Sequence, residues 1–159
     1  MIISFSKTKL EDLPHFFRFQ LDQEAAYLAA FTPKDPTNEV AYLEKYTRFL
    51  NDPTITMLTI RADGIIAGSV AKFVMDNEAE VTYWIDKKYW GKGIASAALQ
   101  EILRIEQERP IFGRTAFDNY ASQKVLEKCG FEKIGTDTGF ANARQTTIEE
   151  FIYRLTDEK

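Results

Sequence analysis

The order of apolar and polar residues along the chain divides it into alternating strands and helices. Residues 1–7 alternate with the period of two that is typical of a strand. Apolar residues then recur at helical spacing from Leu13 to about Ala30, which predicts one long helix. After residues 32–36, which contain two prolines, a second helix is predicted to end near residue 51.

Further strands are predicted where β-branched and aromatic residues concentrate, at residues 54–61, 65–75, 80–86, 111–117, 131–138 and 147–155. Short turns separate the first three of these segments, so we expect an antiparallel meander. An amphipathic helix joins the third to the fourth, and this order predicts a right-handed parallel crossover. Another helix lies between Asn119 and Gly130, and residues 139–146 are expected to be a loop. The predicted fold class is α/β (α+β), with a mixed, mostly antiparallel sheet of about seven strands and helices on both faces.

The composition describes an ordinary globular chain. Its 159 residues predict a single domain, 1–159, and an apolar fraction of 45% with 13% aromatic residues argues against disorder. The net charge is −4, and Lys and Arg are scattered among acidic residues, which argues against a nucleic-acid partner. No apolar run predicts a membrane span or a secretory leader. Because the lone Cys129 cannot form an internal disulfide, we expect a cytoplasmic protein.

The most informative stretch is residues 80–98, where a strand, a glycine turn and a helix follow one another. The first N–H groups of a helix lack intrahelical partners, and Gly91 and Gly93 let a ligand approach the backbone, so the turn suits a phosphate. It is not a P-loop, because Gly93 stands where Ser or Thr should follow Lys92. It is not a dinucleotide fingerprint, because Ser96 replaces the third glycine. On spacing alone, a turn that only shapes the corner is an equally good interpretation.

Two short motifs nevertheless stand in order on the predicted elements. Residues 90–95 have the sequence Trp-Gly-Lys-Gly-Ile-Ala, and residues 119–122 have the sequence Asn-Tyr-Ala-Ser, before a helix that ends at Gly130 and Phe131. In both motifs the chain resembles the GNAT superfamily of N-acetyltransferases, and most of all its RimJ/RimL-type ribosomal-protein branch. The leading Gln or Arg of the family's acetyl-CoA motif is replaced by Trp90. The resemblance covers about residues 54–155 well.

The resemblance implies that acetyl-CoA lies between strands four and five, which splay apart. It implies that the cofactor is bound by the turn and the helix start, at Trp90, Gly91, Lys92, Gly93, Ile94, Ala95 and Ser96. The backbone of Trp84 and Ile85 is expected to pair with the pantetheine arm, and the Ile85 N–H to polarise the thioester carbonyl. Asn119 is expected to hydrogen-bond pantetheine, and the alternative is that it only caps its helix.

An amine acceptor must lose a proton before it attacks, because amines are largely protonated at neutral pH. Glu80 stands where several relatives keep a glutamate base that acts through water; a solvated glutamate at a strand end is the alternative. The tyrosine that protonates the departing thiolate in many relatives is Leu126 here, so the resemblance points to Ser122 for that role. Ser122 without any catalytic contact is an equally open interpretation. His15 and Cys129 are not expected to form a catalytic pair.

The sequence therefore predicts an acetyl-CoA-dependent N-acetyltransferase that acts by direct transfer in a ternary complex. The acceptor is a primary amine, either a protein N-terminal α-amine or a small-molecule amine, and no metal is expected because no set of residues has ligand spacing. A catalytically silent acyl-CoA-binding sensor or interaction module is the alternative, since Leu126 replaces the tyrosine. We expect residues 21–35 and 138–146 to define the acceptor, no membrane partner, and a monomer or homodimer.

Overall fold

The computed structural model describes residues 1–157. Its strands are β1 (Ile3–Lys7), β2 (Thr56–Ala62), β3 (Ile65–Met75), β4 (Glu78–Ile85), β5 (Ile111–Ala116), β6 (Glu132–Ala141) and β7 (Thr146–Leu155). Its α-helices are α1 (Leu13–Phe19), α2 (Gln23–Ala29), α3 (Glu39–Asn51), α4 (Ile94–Ile105) and α5 (Tyr120–Lys128). None of the helices within this part of the chain combines the length and the apolar character needed to cross a membrane.

The strands form one seven-stranded sheet in the order β1-β2-β3-β4-β5-β7-β6. Every pairing is antiparallel except that of β4 with β5, so the predicted mixed sheet is confirmed. β4 and β5 pair only where they begin, at Ala79 with Ile111 and Glu80 with Phe112. Beyond these pairs the two strands diverge, which confirms the expected splay. We call the space between their diverging parts, residues 81–85 and 113–116, the strand gap.

Helices cover both faces of the sheet because the strands alternate their apolar side chains. On one face, α4 and α5 cover the larger core, which includes Ile60, Val70, Val81, Leu99, Ile102, Ile111, Leu126 and Tyr153. On the opposite face, α1 and α3 pack over a smaller cluster that contains Leu13, Phe16, Met57 and Ala71. We refer to these as the α4/α5 face and the α1/α3 face.

Two predicted element boundaries are wrong. The single helix expected from Leu13 to Ala30 is two helices, because the Asp22 side chain accepts a hydrogen bond from the Ala25 N–H at 2.8 Å and starts a new helix there. The loop expected at residues 139–146 is shorter, since β6 continues to Ala141, which pairs with Thr146. The turn between β6 and β7 therefore contains only residues 142–145.

Candidate active site

The turn between β4 and α4 presents a row of unpaired backbone donors. Gly91 and Gly93 adopt left-handed conformations, with φ of 74° and 79°, and Gly93 is the N-cap of α4. Within residues 1–157, the N–H groups of residues 91–96 donate to no protein acceptor, and the first bond of the helix is from Ala97 N to the Gly93 carbonyl. Converging N–H groups at a helix start carry partial positive charge. The turn is therefore the candidate anion-binding site of this structure.

Trp90 fixes this turn to the end of β4. Its indole Nε1 donates a hydrogen bond to the Ile85 carbonyl oxygen at 2.9 Å, and its backbone N–H donates to the Lys87 carbonyl at 3.1 Å. Ser96, one turn further on, is buried, and the Cys129 thiol approaches its carbonyl at 3.9 Å. The Ile85 carbonyl is thus occupied.

Alternate residues of β4 direct their backbone N–H and carbonyl groups to β3 and to the strand gap. The Asp86 N–H donates to the Ala67 carbonyl at 2.8 Å, so the register with β3 directs the backbone groups of Trp84 to β3. The Trp84 carbonyl lies directly against β3, where a Cβ on Gly68 would clash with it. The backbone groups of Tyr83 and Ile85 therefore face the strand gap, and the role expected for the Ile85 N–H stays a prediction. The expected pairing of the Trp84 backbone with pantetheine is corrected, because the N–H and carbonyl of Trp84 face β3, whereas those of Tyr83 face the gap.

Glu80 lies where the strand gap opens, and it is only 5% exposed. This burial rules out the solvated strand-end alternative. Its Oε2 lies 3.6 Å from Nε of Arg114 on β5. A second nitrogen of Arg114, Nη1, donates a hydrogen bond to Glu150 at 3.1 Å and lies 3.7 Å from the Asp137 carboxylate. Burial raises the pKa of Glu80; Arg114 opposes this shift, whereas Glu150 adds to it. The carboxyl group is therefore a stronger base than an ordinary glutamate.

The Ser122 hydroxyl forms a hydrogen bond with a tyrosine of β4. The Tyr83 hydroxyl and Ser122 Oγ lie 2.8 Å apart, and burial raises the pKa of Tyr83 while the Ser122 bond partly offsets this shift. Leu126, in place of the usual tyrosine, is a buried core residue whose side chain fills the space beside Gly113. Tyr83 lies two residues before Ile85 on β4, so the two residues face the same way. This spacing is the signal in the sequence that could have identified Tyr83.

Asn119 caps α5 and also reaches another helix. Its Oδ1 accepts a hydrogen bond from the Ser122 N–H at 3.3 Å, and its Nδ2 donates to the Leu28 carbonyl at 3.3 Å. The helix-cap interpretation is therefore correct, while a bond from Asn119 to pantetheine stays a prediction. His15 and Cys129 are not partners, since the His15 ring contacts Arg18 at 3.1 Å. Across residues 1–157, no group of three or more His, Cys, Asp or Glu side chains is arranged to hold a metal ion.

Comparison with known proteins connects this geometry to a family. The sequence model of the acetyltransferase (GNAT) domain matches residues 3–132. The chain is also 22% identical over 167 aligned residues to an uncharacterized N-acetyltransferase, p20, of Bacillus licheniformis, and the match covers 96% of this chain and 92% of that protein.

Several solved structures share the fold. A putative phosphinothricin N-acetyltransferase superimposes with a TM-score of 0.84 at 20% identity, covering 99% of this chain and 100% of that one. RimL, a ribosomal α-N-protein acetyltransferase solved in complex with coenzyme A, gives 0.81 at 18% identity, covering 97% and 93%. A microcin self-immunity acetyltransferase, solved with acetyl-CoA and AMP, gives 0.80 at 18% identity, covering 97% and 92%.

Proposed function

Because the chain belongs to the acetyltransferase (GNAT) domain family, we propose that it transfers the acetyl group of acetyl-CoA directly to a primary amine within a ternary complex. The observation that carries this proposal is the strand gap itself. The Ile85 N–H faces the gap between a buried carboxyl group at Glu80 and the row of free N–H groups at residues 91–96. A base, a donor and an anion site in this order match an acyl thioester with a phosphate at its far end.

The residues present fit acetyl-CoA. In this proposal the N–H groups of residues 91–96 hold the pyrophosphate, and Gly91 and Gly93 set their direction. Tyr83 and Ile85 offer backbone groups to the pantetheine arm, which adds to β4 as an extended strand does. Bound acetyl-CoA supplies the activated acetyl group.

Three groups of the chain then handle charge and protons. The Ile85 N–H hydrogen-bonds the thioester oxygen as negative charge develops there. Through an intervening water, Glu80 accepts in turn the proton that the ammonium loses before attack and the proton that the nitrogen loses as the amide forms, and it passes both to solvent. Ser122 donates its hydroxyl proton to the departing thiolate and receives the Tyr83 proton across their 2.8 Å contact; solvent reprotonates Tyr83. The sum is one amide, one free thiol and one proton released to solvent.

The charges around Glu80 favour an amine as the acceptor. Arg114 is the cation of this cluster, and it faces three carboxylates, those of Glu80, Asp137 and Glu150. An ammonium group is therefore attracted to the base that deprotonates it. Both an N-terminal α-amine and a small-molecule amine meet this condition.

Ligand binding and thiol release test the proposal together. Coenzyme A should raise the melting temperature, because a ligand at about 100 times its Kd stabilises the folded state by about 2.7 kcal/mol. Free-thiol release from acetyl-CoA should depend on an added amine, tested with a peptide with a free α-amine, putrescine and phenethylamine. No melting shift at millimolar coenzyme A contradicts cofactor binding. A shift without thiol release from any amine favours the silent acyl-CoA-binding module.

A further inference from the structure

The C-terminal end of α2 is held by donors from two other parts of the chain. The carbonyls of a last helical turn lack intrahelical partners, and here they receive them from outside the helix. The bonds run from Arg144 Nε to Tyr27 O at 2.9 Å, Asn119 Nδ2 to Leu28 O at 3.3 Å, Ala143 N to Ala30 O at 3.1 Å and Asn142 Nδ2 to Thr32 O at 2.7 Å. We call the donor residues, Asn119, Asn142, Ala143 and Arg144, the α2 clasp.

Arg144 is the rigid centre of the α2 clasp. Its side chain is only 4% exposed, and its two terminal nitrogens bind the Asp118 carboxylate at 2.7 and 2.8 Å. Its guanidinium carbon also lies 4.2 Å from the centre of the Tyr27 ring. A planar fork with a bidentate carboxylate and a stacked ring allows one orientation. The end of α2 is therefore fixed to the corner between β5 and α5.

α2 spans the open end of the strand gap. At its start, Glu24 forms an exposed ion pair at 2.7 Å with Lys87, just after β4. At its end, the α2 clasp attaches it to Asp118, just after β5. The next residue, Ala30, packs with Ala116 of β5 and Ala141 of β6.

The wall that α2 forms lies on the side of Glu80. Ala116 is two residues from Arg114 on β5, so both point to the α1/α3 face, where Arg114 meets Glu80. α4 and α5, which carry the anion site and Ser122, cover the opposite face. In the proposed function the thioester therefore approaches from the α4/α5 face. An amine that reaches Glu80 approaches from the α1/α3 face, along the wall that α2 forms.

From this arrangement we infer that the α2 clasp, and Arg144 above all, positions the wall along which the acceptor amine reaches Glu80. This inference rests on the proposed function. Arg144 acts through α2 as a positioning residue, and Asn119 links that wall to the first turn of α5, where Ser122 lies. Loosening the clasp should impair acceptor binding and leave the coenzyme A site at residues 91–96 intact.

The test compares two bidentate arginine–carboxylate pairs. Arg144→Lys and Arg144→Met break the α2 clasp, and Asp118→Asn weakens it without touching α2. Arg104→Lys is the control, because Arg104 also forms a bidentate pair, through Nε and Nη2 with Glu101 at 3.1 and 2.8 Å, on the exposed side of α4 and away from α2. The KM for the most active amine of the panel, kcat, the Kd for coenzyme A and amide hydrogen exchange of α2 are measured for each variant.

We expect the Arg144 variants to raise the amine KM or lower kcat by about tenfold, since misplacement by about 1 Å costs up to about 100-fold. Exchange of α2 amides should become faster, Arg144→Lys should retain more activity than Arg144→Met, and the coenzyme A Kd should stay within about twofold. An equal rise in the coenzyme A Kd would overturn the inference, and so would Arg144 variants that behave like Arg104→Lys. If Arg144→Met is too unstable to assay, Arg144→Lys and Asp118→Asn decide. A wild-type protein that releases no thiol with any amine refutes the proposed function instead.

Discussion

Burial sets the acid–base behaviour of Glu80 and gives it a predictable pH dependence. Because burial raises the pKa of this carboxyl group, its ionised form, which is the base in the proposed function, is lost as the pH falls through that raised pKa. The acidic limb of kcat/KM should therefore follow Glu80. Glu80→Gln should lower kcat by about 100-fold or more and remove this limb. An unchanged pH profile in Glu80→Gln would remove Glu80 as the base.

Folding stability supplies the control for that substitution. A carboxyl group whose pKa is raised in the folded state stabilises the fold most at low pH, and this contribution is lost as the pH rises through the raised pKa. Ionised Glu80 is therefore unfavourable for folding at neutral pH. We expect Glu80→Gln to melt no lower than the wild type at pH 7, so that its loss of activity is a loss of chemistry.

The hydroxyl pair makes a second prediction for single residues. Tyr83→Phe keeps the buried ring but removes the hydroxyl that contacts Ser122 at 2.8 Å, so kcat should fall while the coenzyme A Kd is unchanged. In the proposed relay Ser122 protonates the thiolate and Tyr83 acts only through Ser122, so Tyr83→Phe should add little to Ser122→Ala. Tyr120→Phe is the control, since Tyr120 is 65% exposed on the same helix as Ser122. Strictly additive effects of Tyr83 and Ser122 would exclude the relay.

The roles of individual residues on β4 could be predicted only with knowledge of which residues face the strand gap and which face β3. The sequence places Trp84 and Ile85 together in a strand, but which of them faces the gap depends on the register between β3 and β4. The turn at Asp76 and Asn77 sets that register, because Met75 pairs with Glu78 across it. Alternate residues counted from Glu78 face β3, so Tyr83 faces the gap. The direction of each residue could therefore be worked out from the turn, but not from the strand itself.

At the level of elements, the turn before α4 requires glycine because of its backbone conformation and not because space is lacking. A Cβ on Gly93 would meet no atom within 4 Å, yet φ is 79°, which disfavours any other residue. Gly93→Ala should lower the stability by about 1 kcal/mol and raise the coenzyme A Kd as the N–H groups rotate. Gly135→Ala in β6 is the control, because a Cβ there also meets no atom within 4 Å and the φ of Gly135 lies outside the left-handed region. Equal coenzyme A Kd values for the two variants would contradict the role of the turn.

Helix and strand boundaries show where patterns along the chain stop being informative. The apolar spacing from Leu13 to Ala30 continues through the break at residues 20–22, so it cannot reveal that Asp22 caps a new helix. Gly139 and Asn142 are residues typical of turns, yet pairing with β7 holds residues 139–141 in a strand. In both cases contacts with distant residues decide the outcome. The boundaries of β3 and of the gap strands depend on local sequence and were predicted closely.

The whole molecule adds an electrostatic prediction for the acceptor. Asp137 faces Arg114 at 3.7 Å, whereas Glu149 on β7 is exposed and, next to Glu150 in sequence, points to the opposite face. Asp137→Asn should raise the KM for putrescine a few-fold at low salt, and this difference should shrink as salt screens the field. Glu149→Gln removes the same charge and should have no such effect. Equal KM values at low salt would show that Asp137 does not attract the amine.

The family was predictable from very few residues, and the acceptor was not. Two motifs, at residues 90–95 and 119–122, identified the GNAT family, and the match over residues 3–132 confirms it. In the proposed function both motifs belong to the cofactor side, where backbone geometry would determine binding. The proposed acceptor side is built from the first helices and the β6–β7 turn, which the α2 clasp brings together from opposite ends of the chain.

The limited pairing of β4 with β5 has a mechanical consequence. The sheet consists of a four-strand half, β1 to β4, and a three-strand half, β5 to β7, joined through only two residue pairs next to Glu80. A pantetheine arm bound in the strand gap would connect the two halves of the sheet where β4 and β5 do not pair. Coenzyme A should then slow amide hydrogen exchange of Tyr83, Ile85 and residues 91–96, and leave the β2–β3 amides unchanged. Uniform protection across the sheet would show instead that the halves already behave as one body without the ligand.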